Sequence, residues 1–111
     1  MSDDTNQNLV EIKKTYHLID DNFDAIYGKC NDDQKKTLIA LRDSARDAFW
    51  RATAENLTDN HDIVAQTIDE LKTTNNQIQK DVKFLKDVSS FLDTVTQGVK
   101  LAAALAVLAA A

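Results

Sequence analysis

The side chains of this chain that are able to do chemistry are few and stand apart from one another. His17 and His61 are its only histidines and Cys30 is its only cysteine. A structural zinc site takes four ligands from His, Cys and carboxylates, usually in closely spaced pairs. Neither histidine has a second histidine or a cysteine at such spacing, so solvated histidines are the simpler reading. The carboxylates Asp20, Asp21 and Asp24, and the pair Asp32 and Asp33, resemble a cation site only in composition. They lack the alternating oxygen ligands and the turn glycine of a calcium loop. A solvated helix face accounts for the first group, and a negatively charged helix start for the second.

Cys30 has no activating cationic pattern beyond the adjacent Lys29, and reads as a small buried apolar side chain rather than a nucleophile. No glycine-rich phosphate loop and no Ser/His/Asp arrangement is present. The expectation is therefore no catalytic, cofactor-binding or metal residue, no cofactor and no small-molecule substrate. A nucleic-acid partner is also excluded. The net charge is −5, and the nearest approach to a basic patch, Lys80, Lys83 and Lys86, is diluted by Asp81 and Asp87. A single cysteine cannot close an internal disulfide, which fits a reducing compartment. Residues 1–8 are polar and acidic, without the basic start and apolar run of a cleaved signal peptide. These features favour a cytoplasmic protein, with membrane association or export without a cleaved signal as the alternatives.

The elements that must carry these residues are helices. The 111 residues suit one domain, and they include no proline and only two glycines, Gly28 and Gly98. Leu9, Ile12, Tyr16, Ile19, Phe23, Ile26 and Cys30 recur at alternating spacings of three and four. That spacing predicts a heptad-patterned first helix over about 5–28, started by Thr5 or Asn6 and ended at Gly28. Asn31 and Gln34 then form the sequence of a capping box. The second helix, about 32–56, carries a stripe of Leu38, Leu41, Ala45, Ala48 and Ala52, whose alanines allow a neighbour to come close. Trp50 lies beside this stripe, placed to close one end of the core.

The third series, Val64, Ile68, Leu71, Asn75, Ile78, Val82, Leu85, Ser89, Leu92, Thr96 and Val99, keeps the same spacing without a break. It predicts one long helix over about 61–97, with the apolar Ala/Leu-rich residues 98–111 continuing it. Asn75 occupies a core position of this series. It reads either as a polar residue that sets the register of packing or as one turned out to solvent.

Residues 1–97 are thus expected to form an all-α antiparallel three-helix bundle, or helical hairpin, whose long C-terminal helix extends beyond the other two. At 1.5 Å per residue the first two helices are roughly 36 Å long and the third at least roughly 54 Å. Its second half would be left bare, with Val88, Phe91, Leu92, Val95, Val99, Leu101, Leu105 and Leu108 forming an apolar interface. The expected function is that of a non-enzymatic helical interaction protein, which self-assembles or docks a helical partner through this surface. A membrane-active protein, similar in architecture to components of α-helical pore-forming toxins, is the alternative. A small chaperone or immunity-type binding protein is a second one.

Overall fold

A computed structural model describes residues 7–54 and 62–108. The start of the first helix at Thr5 or Asn6, His61, and residues 55–56 and 109–111 lie outside the described residues. The described chain is all helical: α1 (Gln7–Asp21), α2 (Phe23–Tyr27), α3 (Asp32–Ala54), α4 (Asp62–Lys83) and α5 (Val88–Leu108). It folds into an all-α bundle measuring 42 × 22 × 21 Å.

The heptad pattern of the first segment does make one continuous stripe, but the helix is interrupted at Asn22. The side-chain amide of Asn22 donates to the Leu18 carbonyl at 2.8 Å, and α2 restarts with Ile26 N–H on the Asn22 carbonyl. A side chain that bonds its own backbone in this way offers the chain an alternative to the helical ladder. Gly28 then caps α2 in an ordinary right-handed conformation, φ −64°. The capping box is present as expected. Asn31 N–H donates to Gln34 Oε1 at 2.9 Å, and Gln34 N–H donates to Asn31 Oδ1 at 2.8 Å. Asp32 and Asp33 occupy the first turn of α3, facing the positive end of its dipole.

The long third helix is where expectation and structure part. The chain leaves the helix after Lys83, turns through 84–87 and returns as α5. Lys80 and Lys83 complement the C-terminal end of α4. Asp87 caps α5, accepting from the Ser90 N–H at 3.3 Å and the Ser90 hydroxyl at 3.1 Å. The half that would have projected into solvent lies inside the bundle. Magnitudes explain the outcome. Burying Phe91, Leu92, Val95, Val99 and Leu105 is worth roughly 1.5–3 kcal/mol per side chain, on the order of 10 kcal/mol in all. Interrupting a helix forfeits about four backbone hydrogen bonds at about 1 kcal/mol each, some recovered by caps and water. Folding back wins.

The core has two halves. At one end Ile12, Ala48, Ala52, Val64, Ile68, Leu71, Ala102, Leu105 and Ala106 pack together. At the other, Ile19, Ile26, Leu38, Leu41, Ala45 and Ile78 meet Phe91, Leu92, Val95 and Val99. These memberships fix the directions: α1 and α4 run one way, α3 and α5 the other. α5 packs against α1, α3 and α4, whereas α3 and α4, consecutive in the chain, scarcely touch. Small residues on α5 make the close approach possible. A Cβ built on Gly98 would stand 3.1 Å from Ile78 Cδ1, 3.4 Å from Thr74 Cγ2 and 3.8 Å from Thr15 Cγ2. Gly98 therefore ends nothing; it is the notch in mid-helix where α5 meets α4 and α1.

Candidate functional site: the face of the last helix and the polar layer beneath it

The residues expected to form an interface are the central strip of the chain's own core. Phe91, Leu92, Val95, Val99 and Leu105 are buried, and Val88 and Leu101 are partly buried against the same clusters. The side chain of Leu108 lies outside the description. The premise that this surface is bare is thereby corrected: α1, α3 and α4 cover it, because the turn at 84–87 brings it back onto them.

Asn75 is buried, not turned to solvent, and is one member of a polar layer between α1 and α4. Its amide donates to the Glu11 backbone carbonyl at 3.0 Å and to the Glu11 carboxylate at 3.1 Å. The Thr15 hydroxyl lies 2.8 Å from Asn75 Oδ1 and 3.0 Å from the Glu11 carbonyl, its single hydrogen serving one or the other. Glu11 and Thr15 are buried too. These two were missed in the sequence, although they sit four residues apart on α1, one turn apart on the same face.

How α5 is held differs from how its neighbours are held. α1 and α4 are tied by the polar layer. α3 meets α1 through stacked Tyr16 and Phe49, centroids 5.9 Å apart, and meets α2 through Arg42 over Phe23 at 4.0 Å. The side-chain hydrogen bonds of α5 are local: Ser90 to Asp87, Thr94 to the Ser90 carbonyl and Thr96 to the Leu92 carbonyl. Among the described residues no side-chain hydrogen bond or ion pair joins α5 to another helix. Apolar packing alone retains it.

The potentially reactive groups remain separate. No group of three His, Cys, Asp or Glu residues able to hold a metal ion occurs among the described residues. His17 lies 3.9 Å from Asp21 one turn on, in a solvent-facing pair. Cys30 is partly buried at the edge of the core, donates to the Ile26 carbonyl at 3.2 Å, and has its thiol pKa raised by burial against the weaker opposing effect of Lys35. Trp50 does not close the core. It is 59% exposed, with the Arg46 guanidinium 5.1 Å from its ring centroid. Val10, Ile39, Ile63, Phe84 and Val107 are also exposed, spread over four helices and the turn, which is ordinary for a protein surface. No helix among the described residues is long and apolar enough to cross a membrane.

Fold and site together define an all-α helical bundle whose distinctive feature is an apolar last helix set into a cradle of three others. No family model, curated protein or solved structure matches this chain.

Proposed function

We propose that the chain is a non-enzymatic helical interaction protein that works by packing α5 and its cradle against the helices of a second molecule. The observation that carries this reading is the mode of attachment of α5. Among the described residues its Phe91–Leu105 face makes the largest apolar contribution to the core, yet no side-chain hydrogen bond or ion pair ties it to another helix. Contacts that are non-directional and proportional to apolar area are the kind another helix of similar shape can replace. The polar layer, by contrast, keeps α1 and α4 together as a fixed frame. Sedimentation velocity over a broad concentration range tests the reading, through a weight-average mass that climbs above that of the monomer. A mass that stays at the monomer value throughout defeats self-assembly, the form of the proposal that needs no further component.

A further inference from the structure

The sequence across the turn is written for a helix. Val82, Leu85, Ser89 and Leu92 keep the three-four spacing of α4 into α5, and the turn residues 84–87 include neither glycine nor proline. A second strip crosses it as well, since Phe84, Val88, Phe91 and Val95 are spaced 4, 3 and 4. In the folded chain Phe84 is cut off from that strip, 76% exposed beside a surface hollow of about 210 Å³. Both strips would be continuous only if α4 and α5 were one helix. That helix, residues 62–108, would be about 70 Å long, against a bundle whose long axis is 42 Å.

We propose that 84–87 is a hinge and that two copies of this chain exchange α5, each inserting it into the cradle of the other. This rests on the reading of the chain as a helix-packing protein and names its partner. The occupant follows from what an opened chain exposes. Swinging α5 out bares its own Phe91, Leu92, Val95, Val99 and Leu105, and also bares Ile12, Leu71 and Ile78 in the vacated cradle. A second opened copy supplies both missing halves with the contacts already present in the monomer, and the pairing closes at two. Among the described residues no side-chain hydrogen bond or ion pair joins α5 to another helix, so none of these must be broken and remade in a particular partner. The exchanged dimer also gains the helical residues of the straightened hinge, and it would be elongated to roughly twice the 42 Å axis.

Two substitutions at the hinge separate the states. The Lys86 side chain is exposed and its N–H makes no hydrogen bond among the described residues, so Lys86→Pro removes no bond of the turn but opposes a helix through it. Asp87→Ala removes the cap of α5 and favours a straight helix. Each form is refolded at high and low concentration, checked for helicity by circular dichroism, and sized by light scattering coupled to size exclusion. The expected result is a wild-type dimer that forms at high concentration and outlasts dilution. Its fraction should fall at least about tenfold in Lys86→Pro and rise several-fold in Asp87→Ala. A dimer fraction unchanged in a helical Lys86→Pro, or unmoved by Asp87→Ala, overturns the exchange and leaves self-assembly by another surface standing. Absence of a dimer in all three forms overturns both.

Discussion

Asn75 on α4 donates its side-chain amide to the Glu11 carbonyl of α1 across 3.0 Å and to the Glu11 carboxylate across 3.1 Å. One amide group thus satisfies two acceptors of another helix, one of them a buried carboxylate that would otherwise keep its desolvation cost uncompensated. The bonds cross from α4 to α1 at the longitudinal offset that the two apolar stripes adopt.

Asn75→Ala removes that donor and leaves the Glu11 carboxylate short of a partner, while the Thr15 hydroxyl keeps only the Glu11 carbonyl. We expect a loss of about 2–4 kcal/mol in unfolding free energy, read from the urea midpoint at unchanged slope. A loss below about 0.5 kcal/mol would mean that water replaces the amide and that the layer does not set register.

Gly98→Val places branched carbons where even a Cβ alone would stand 3.1 Å from Ile78 Cδ1. Valine is a better helix residue than glycine by a few tenths of a kcal/mol, but overpacking a core costs about 1–3 kcal/mol. Net destabilisation is expected, seen as a lower thermal midpoint. A higher midpoint would show that α4 and α5 separate without cost at this crossing.

Leu105→Ala empties a fully buried site at the end of α5 far from the turn, against Ile12, Val64 and Leu71. A loss of about 2–5 kcal/mol is expected by chemical denaturation. A surface-sized effect would mean that α5 is not seated in the cradle in solution.

For Cys30 the direction of the shift sets the sign. Burial raises the folded thiol above its unfolded value, so the protonated form is favoured by folding. Its contribution is intact below the ordinary thiol range and is lost as the pH rises through it. Alkylation with iodoacetamide at mildly alkaline pH should therefore be slower in the folded chain than after unfolding in urea. Cys30→Ala should flatten the fall of stability with alkaline pH. Equal alkylation rates in both states would contradict the protected thiol.

Much of this was legible from residue types. The alanine seam Ala45, Ala48 and Ala52 follows from local periodicity and the Asn31–Gln34 capping box from its motif, and both are present. Periodicity puts Asn75 on the heptad seam but leaves it open between core and solvent, and the structure buries it. The turn after Lys83 did not follow, for a physical reason. Periodicity records which face of a helix is apolar, and that face is the same whether α5 continues α4 or folds back onto it. The one local mark was Asp87 three residues before Ser90, an N-cap pattern ahead of an apolar run. Glu11 and Thr15 were hidden because the partner that makes them a buried pair comes 64 and 60 residues later.

The two halves of the core do not hold equal amounts of hydrocarbon. Four of the nine buried residues at one end are alanines, whereas the other end has Ala45 alone among isoleucine, leucine, valine and phenylalanine. Alanine brings backbones together but contributes little transfer free energy of its own. Amide hydrogens near Ala102 and Ala106 should accordingly exchange with solvent sooner than those near Val95 and Phe91, in a graded opening rather than a single event. The bundle would come apart like a zip, from the alanine end toward the turn at 84–87, so that the last part of α5 to let go is the part next to its pivot.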